Sequence, residues 1–389
     1  MIAAPFRALV IGGSVGGLAA ALELGAIGAE VTVYERSVDR TQPRGAGIVM
    51  QPEVETLLAR LGRSVPSVSV LLRERQQLHR DGGVSRYAAP QWMTAWDTLY
   101  SVLREQLPVG SYRLDSGLAH LRAGADDVTA VFTDGRLAGG EFLVGADGVG
   151  STVRSLLNIP GGPAYSGYVA FRGLEPEADL PAELVELLAE RFTVFGVPGL
   201  QLLCYLVPGA GGERERGARR VNWVWYVNTP EANLPWLLTG NSGRRFEHFI
   251  PPGELTPDTI SQLTALARTH LPPQFAALVE HSKVFMQPVF DMPPASMAGE
   301  RTALIGDAAG TVRPHTASGT SKAFGDAAAL AHAVDAAHSA GDLPPHLKKW
   351  EAQRLSHLVA VAKHGIRLAS QSALGVTGPQ FLSESRKAG

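Results

Sequence analysis

The sequence predicts an α/β fold in which a doubly wound, mostly parallel sheet is interrupted by an inserted β-sheet domain. A glycine-rich strand–turn–helix–strand unit stands near the N-terminus. Two more apolar strands, far apart in the chain, each end in glycine and aspartate ahead of helix-compatible sequence. Between them lies a stretch rich in β-branched and aromatic residues that Gly and Pro turns divide. These three features together indicate a first domain that is interrupted by a second one.

Length and composition exclude several classes of protein. The 389 residues suit about two domains, and 45% apolar with 19% charged residues is typical of a globular chain. A formal net charge of −2, without a block of Lys and Arg, argues against nucleic acid or an anionic membrane as a partner. The single Cys204 excludes an internal disulfide and a multi-cysteine metal site, so we expect no metal. The lone cysteine also favours a reducing, cytoplasmic setting, and the sequence shows neither a signal-peptide pattern nor an apolar run of 18 residues.

The N-terminal unit predicts a dinucleotide site. Residues 7–11 read as a buried strand, residues 18–24 as a helix that ends near Gly28, and residues 30–35 as a second strand. In the turn, Gly12 permits a tight bend and Gly17 lets the helix pack closely on the strand. The phosphate-facing part of the turn and the helix start comprise Gly13, Ser14 and Val15.

Two details of this turn bear on its ligand. Ser14 replaces the middle glycine of the usual pattern, and its hydroxyl can donate a hydrogen bond to phosphate. Glu35 follows Gly12 by 23 positions and ends the second strand, where an acid hydrogen-bonds a ribose hydroxyl. No second complete motif of this kind occurs in the sequence, so only one dinucleotide has a βαβ site of its own.

The remaining strands define the order of the domains. Apolar runs at residues 142–146 and 302–306 end at Asp147 and Asp307, and β-rich segments occupy residues 168–172, 192–195, 201–206 and 221–227. We expect a cofactor domain over residues 1–165, with a small excursion into the substrate domain near 68–92. The substrate domain then covers 166–284, the cofactor domain resumes over 285–342, and a helical segment follows over 343–389.

The two aspartate junctions resemble motifs of one enzyme family. Asp147-Gly148, with the sequence through Arg154, resembles the DG motif of the flavoprotein aromatic hydroxylases, and Asp307 with Pro314 resembles their GD motif. Arg36, Gly45 and Gly47 also stand where this family places cofactor residues. The resemblance covers essentially the whole chain. It implies the p-hydroxybenzoate hydroxylase fold, with a Rossmann-like FAD-binding domain, an inserted β-sheet substrate domain and a C-terminal helix.

The same resemblance implies roles for individual residues. Asp307 would contact the ribityl chain of FAD, and Asp147 would support the flavin side and the nicotinamide donor. Pro314, Gly319 and Thr320 belong to the loop and helix start that would face the flavin. A helix N-terminus at this place can stabilise negative charge on the reduced ring.

Some positions depart from the common pattern of the family. Trp96 stands where many relatives carry an arginine that contacts the flavin, and residues 317–322 replace the usual Gly-Gln-Gly loop. These departures, with residues 47–53, residues 167–173 and Arg313-Pro314-His315, resemble the 2,6-dihydroxypyridine 3-hydroxylase branch.

The resemblance implies a monooxygenase that NADPH or NADH reduces. O2 would then add to FAD as a C4a-hydroperoxyflavin, and a small electron-rich aromatic or hydroxypyridine ring would take up its distal oxygen. The site should offer a base or hydrogen-bond acceptor to a ring hydroxyl and should exclude water. Relatives are often dimers, so a homodimer is also implied.

The substrate-facing residues are expected on the inserted sheet and the GD loop. The catalytic candidates are His315, Tyr226 and Arg172. His315 could be the acid or base or could bond the loop backbone, and Arg172 could attract an anionic substrate or be structural. The substrate-binding candidates are Gln51, Tyr168, Phe171, Tyr205, Trp223 and Trp225. Alternation places Trp223 and Trp225 on one strand face and Tyr226 on the other, and core packing remains the alternative for about half of the aromatic residues.

Two other functions stay open at the level of sequence. An epoxidase or a Baeyer–Villiger-type tailoring enzyme would carry the same cofactor but act on a larger natural product. A sensor or scaffold would bind FAD without substrate-stimulated oxidation of NADPH. Pocket size and product analysis distinguish the first alternative, and an oxidation assay distinguishes the second.

Overall fold

The structure is a computed structural model that describes residues 6–37, 47–124, 126–340 and 342–382, without the side chains of residues 339 and 340. Its strands are β1 (Arg7–Ile11), β2 (Glu30–Tyr34), β3 (Gly47–Val49), β4 (Val70–Leu78), β5 (Val84–Ala95), β6 (Tyr112–Arg113), β7 (Leu118–Ala123), β8 (Val128–Phe132), β9 (Leu137–Gly140), β10 (Phe142–Gly145), β11 (Ala164–Pro176), β12 (Arg191–Val197), β13 (Leu200–Val207), β14 (Arg220–Asn228), β15 (Phe285–Asp291) and β16 (Thr302–Leu304).

The α-helices of the described residues are α1 (Val15–Ala26), α2 (Pro52–Arg60), α3 (Val65–Val68), α4 (Trp96–Glu105), α5 (Thr152–Leu156), α6 (Ala182–Leu188), α7 (Leu234–Leu237), α8 (Pro257–His270), α9 (Pro273–Glu280), α10 (Gly306–Ala309), α11 (Gly319–Ala340) and α12 (Leu343–Gln371). Within these residues no helix is long and apolar enough to cross a membrane.

The first sheet is parallel and has the order β16-β10-β1-β2-β6. Its strands are short apolar runs because both faces are covered, and Leu18 of α1, Leu330 of α11 and Leu358 of α12 are fully buried in the same core. The carboxyl ends of β1, β2, β10 and β16 meet at one edge, as the strand–turn–helix pattern predicts. The α/β fold class is confirmed.

The second sheet has the order β15-β11-β14-β13-β12-β4-β5-β3 and is antiparallel except where β12 pairs with β4. One face packs against α8 and α9, whose Leu263, Phe275 and Leu278 are buried with it. The other face, together with α12, encloses the cavity described below. A smaller sheet of β7, β8 and β9 completes the described strands.

The larger sheet reaches further along the chain than the predicted divisions. Strand β15 (Phe285–Asp291) pairs with β11, so the predicted end of the insert at residue 284 is too early. Pro288 lies inside this strand, and the sheet accepts it because β15 is an edge strand. Strand β3 also joins this sheet by pairing with β5, upstream of the expected excursion at 68–92.

Candidate active site

The turn after β1 has a shape that only glycine permits at two positions. Gly12 has a φ of +103°, and a Cβ there would lie 2.4 Å from the carbonyl oxygen of Ala146. A Cβ on Gly17 would lie 1.9 Å from the carbonyl oxygen of Gly12. Ser14 is the N-cap of α1, but its hydroxyl makes no capping bond to the helix. The turn therefore presents a free hydroxyl and unsatisfied helix N–H groups to an anion.

Glu35 lies beside this turn and orients it. Its Oε2 accepts the backbone N–H of Gly13 at 2.8 Å, and its Oε1 accepts the N–H and the hydroxyl of Ser37 at 3.0 and 2.8 Å. Each carboxylate oxygen has more than one lone pair, so the group can also accept from a ribose hydroxyl. The Glu35 side chain is buried, and its predicted contact with a ribose hydroxyl remains a prediction.

The Asp147 carboxylate acts first as a cap for α5. It accepts the hydroxyl of Ser151 and the N–H groups of Thr152 at 2.7 Å and Val153 at 3.2 Å. These bonds fix the turn between β10 and α5, and the N–H of Ala146 donates to the carbonyl oxygen of Ile11 at 2.7 Å, which joins this turn to the end of β1. Its predicted role toward the cofactor and the nicotinamide donor remains a prediction.

The junction after β16 carries an ion pair between a buried lysine and a half-exposed aspartate. The side chain of Lys322 is fully buried, and its Nζ lies 3.3 Å from Oδ1 of Asp307 and donates to the carbonyl oxygen of Gly310. Asp307 is half exposed toward the cavity. Asp326, which is fully buried on α11, accepts the N–H of Gly306 at 3.0 Å and thereby fixes the same loop.

Two adjoining cavities run along these elements. A cavity of about 200 Å³ lies between the first turn, Glu35, Arg36 and Asp147. A cavity of about 750 Å³ continues from the start of α1 to the start of α11 and onto the second sheet. The two share Ser14, Trp96, Ala146 and Gly148.

These residues fit an FAD molecule. The glycine turn leaves room that a Cβ would fill, and the adjoining cavities form one elongated space. Val15, Gly47, Asp307, Pro314, Gly319 and Thr320 line the larger part. Gly13 and Gly17 are buried and line neither cavity, so they affect the site through the shape of the turn. Gly45 lies outside the described residues.

The far end of the larger cavity brings the catalytic candidates together. Arg172 of β11 and Tyr226 of β14 lie on the sheet, and His315 faces them from the loop before α11. The Nε of Arg172 is buried and has no hydrogen-bond partner among the described residues. Tyr226 lines the same cavity, and burial raises the pKa of its hydroxyl, so the hydroxyl stays protonated. The arrangement offers hydrogen-bond donors to a ligand.

His315 is held by aromatic neighbours. Its Nε2 lies 3.0 Å from the hydroxyl of Tyr168, and its ring centroid lies 4.6 Å from that of Tyr226. Burial, with a smaller effect of the Arg313 guanidinium, lowers the pKa of His315 to about 4. Arg313 forms a bidentate ion pair with Asp291 and lies 5.6 Å from the ring centre of Tyr168. At neutral pH the imidazole is uncharged.

Four of the predicted substrate-binding residues do not line the cavity, and these predictions are corrected. Phe171, Trp223 and Trp225 are fully buried on the opposite face of the sheet, in the core that α8 and α9 cover. Their alternation with Tyr226 was predicted, but the choice of the ligand-facing side for the tryptophans was wrong. Tyr168 is on the correct face, but Ala369 of α12 and His315 cover it.

Gln51 and Tyr205 line the cavity, but both are also engaged by the protein. The Gln51 amide donates to the carbonyl oxygen of Ala317 at 3.1 Å and accepts the hydroxyl of Ser321. The Tyr205 hydroxyl donates to the carbonyl oxygen of Gly47 at 3.2 Å. Their predicted contacts with substrate remain predictions.

Sequence reasoning missed several lining residues. Gln287 comes from β15, which was placed outside the insert, and Leu368 and Gln371 come from the end of α12. Leu203 and Val224 lie on predicted strands, and strand alternation with Tyr205 and Tyr226 would have identified their face. No local signal marks the α12 residues, because their position depends on how that helix packs.

Comparisons with known proteins agree on one family. The FAD binding domain model matches residues 6–223, and an FAD binding domain-like model matches residues 165–291. The 2,6-dihydroxypyridine 3-monooxygenase of Paenarthrobacter nicotinovorans is 32% identical and covers 96% of this chain and 94% of its own. The 6-hydroxynicotinate 3-monooxygenase of Bordetella bronchiseptica is 28% identical over 83% of this chain and 81% of its own. The solved structure of 2,6-dihydroxypyridine-3-hydroxylase from Arthrobacter nicotinovorans matches with a TM-score of 0.88 and 31% identity, covering 98% of this chain and 99% of that one.

Proposed function

Since this chain belongs to the FAD binding domain family and is an FAD-dependent monooxygenase, we propose that it hydroxylates a small hydroxypyridine of the 2,6-dihydroxypyridine type. One observation carries the choice of substrate. The space that fits the cofactor continues without interruption to a chamber where Arg172, Tyr226 and His315 face one another. A small ring with oxygen substituents matches three polar groups set among apolar side chains.

The cofactor supplies the oxygen chemistry when it is bound, because FAD reduced by NADPH or NADH activates O2. The turn of Gly12 and Ser14 would hold its pyrophosphate, Glu35 would accept from a ribose hydroxyl, and Asp307 would contact the ribityl chain. The start of α11 would face the flavin, where its N-terminal N–H groups could stabilise negative charge. We assign Arg36 and Gly47 to the same binding surface.

The substrate is held by groups on the second sheet. Arg172 binds a ring oxygen that carries negative charge, and the Tyr226 hydroxyl donates to a neighbouring acceptor. Leu203, Val224 and Val312 supply apolar wall and exclude water, which limits wasteful decay of the activated oxygen. The support for Arg172 is that it lines the cavity while its buried Nε has no hydrogen-bond partner among the described residues, so the protein does not fully engage the guanidinium.

The experiment is NADPH and NADH oxidation by the purified FAD-loaded protein in air, with and without 2,6-dihydroxypyridine. The proposal expects strong stimulation and a trihydroxylated product. Stimulation only by larger natural products would favour an epoxidase or a Baeyer–Villiger-type enzyme. If no aromatic compound stimulates NADPH or NADH oxidation by the FAD-loaded protein, the proposed substrate class would be contradicted, and a sensor or scaffold role would be favoured.

We also propose a homodimer in the cytoplasm that needs neither nucleic acid nor a membrane. The low net charge supports the last point. Light scattering on the eluted protein measures the assembly directly, and a monomer at micromolar concentration would contradict the dimer.

A further inference from the structure

The hydrogen bond between Tyr168 and His315 has a direction that the surroundings decide. The Tyr168 side chain has no exposed surface, and its hydroxyl has one partner among the described residues, Nε2 of His315 at 3.0 Å. If His315 donated this bond, the Tyr168 hydroxyl hydrogen would be buried without an acceptor. An orphaned donor is costly, whereas a hydroxyl oxygen that accepts nothing is tolerated. Tyr168 therefore donates, and Nε2 accepts.

This direction determines which ring nitrogen carries the proton. A neutral imidazole has one N–H and one acceptor nitrogen. Because Nε2 accepts, the proton lies on Nδ1. Nδ1 has no hydrogen-bond partner in the described part of the chain. It is not one of the fully buried side-chain atoms that lack a partner, and His315 lines the cavity, so Nδ1 is accessible to a ligand there. The group that His315 offers to a ligand is thus an N–H.

We propose that Tyr168 is a positioning residue that fixes His315 in the Nδ1–H tautomer, so that His315 meets the substrate as a hydrogen-bond donor and not as a base. The substrate part of this proposal rests on the proposed function, whereas the tautomer does not. The electrostatics agree with it. Arg313 beside the ring and the surrounding burial disfavour the imidazolium, Asp291 is already paired with Arg313, and the Tyr226 hydroxyl stays protonated.

The consequence is a preference for a ring with acceptor oxygens. Arg172, Tyr226 and His315 each present a hydrogen to the chamber. A hydroxypyridine that enters as its anion has one hydrogen fewer and offers its oxygens as acceptors to all three, whereas a neutral phenol or an uncharged oxo tautomer keeps a hydrogen that none of the three accepts. The activating proton is then lost to water before the ring binds, and no side chain in this trio removes it.

Nuclear magnetic resonance of the resting FAD-loaded protein with ¹⁵N-labelled histidine tests the tautomer. The His315 signals are identified by their loss in His315→Asn. The proposal expects the Nδ1–H tautomer at neutral pH in the wild type and a mixture in Tyr168→Phe. The control is Tyr165→Phe, on the same strand, whose hydroxyl donates to the Thr229 carbonyl oxygen at 3.0 Å. An Nε2–H tautomer or an imidazolium, or no effect of Tyr168→Phe, would overturn the proposal.

Amide replacements of His315 test the donor role. The Asn side chain places its N–H near the position of Nδ1, and the Gln side chain places its N–H near that of Nε2. We expect His315→Asn to lower kcat/KM for 2,6-dihydroxypyridine by a few-fold, and His315→Gln by roughly 10- to 100-fold. Equal losses in both, with a newly pH-dependent kcat, would indicate a base and refute the donor role. A wild type that oxidises no hydroxypyridine would contradict the proposed function, whereas the tautomer is decided in the resting protein.

Discussion

Asp307→Asn should damage the protein in two separable ways, because Asp307 faces the cofactor space and is also the counter-charge of a buried lysine. The Lys322 side chain has 0% exposure, and Asp307 lies 3.3 Å from its Nζ. The substitution leaves the ammonium with the Gly310 carbonyl oxygen and no carboxylate. The first effect is weaker FAD retention, and the second is a less stable apoprotein.

The size of the second effect can be worked out from this geometry. Breaking a fully buried ion pair costs about 3–5 kcal/mol. Asp307 is 48% exposed, so water partly compensates the lysine, and we expect roughly 2 kcal/mol. For a chain of 389 residues the unfolding entropy is about 0.8 kcal/mol/K, so this corresponds to a melting temperature lower by about 2–3 °C.

Thermal unfolding of the apoprotein, followed by fluorescence, is the assay. Asp335→Asn, at an exposed position on the same helix as Lys322, is the matched control and should leave the melting temperature unchanged. The double variant Asp307→Asn with Lys322→Met removes both charges and should recover stability but not FAD retention. An Asp307→Asn apoprotein as stable as the wild type would refute the reasoning, and full flavin occupancy would refute the cofactor role.

Three further outcomes follow from the geometry. Gly12→Ala should abolish FAD loading, measured by the flavin-to-protein absorbance ratio, because a Cβ at this position would lie 2.4 Å from the carbonyl oxygen of Ala146. In the control Gly25→Ala the new Cβ meets no atom within 4 Å, so this variant should load FAD normally. Trp223→Phe should lower the free energy of unfolding by about 1–3 kcal/mol with little change in KM, because the Trp223 indole is buried in the core and donates to the hydroxyl of Ser282. A large change in KM would instead indicate that Trp223 contacts the substrate. Because the pKa of His315 is lowered in the folded protein, the unfolded chain takes up this proton first as pH falls below about 6.5, and the free energy of unfolding decreases toward pH 4. Between pH 7 and 5, the free energy of unfolding of His315→Asn should therefore decrease by about 2 kcal/mol less than that of the wild type. Equal decreases would show that His315 does not titrate in this way.

The first sheet could be predicted from the sequence because buried parallel strands are uninterrupted apolar runs. The segments 7–11 and 30–35 correspond to β1 and β2, and the predicted helical segment over 343–389 contains α12. The glycine turn could also be predicted, because the need for residues without a Cβ depends on contacts within and beside the turn itself. Strand β15 was missed because Pro288 argues against a strand unless its edge position is known.

The substrate chamber could be predicted only in part. Alternation separates Trp223 and Trp225 from Tyr226 but does not say which face meets the ligand. Both faces of this sheet are covered, one by α8 and α9 and the other by α12 and the cavity, so apolar character does not distinguish them. The partnership of Tyr168 with His315 joins residues 147 positions apart and depends on tertiary packing.

The measurement that tests the central claim most directly is the origin of the oxygen added to the ring. The FAD-loaded protein is supplied with NADPH, 2,6-dihydroxypyridine and ¹⁸O2, and the product is analysed by mass. Monooxygenation at this site predicts a trihydroxypyridine that carries a single ¹⁸O atom from O2. NADPH consumption with unlabelled product, or with hydrogen peroxide and no product, would contradict the claim that this chamber directs oxygen onto a hydroxypyridine.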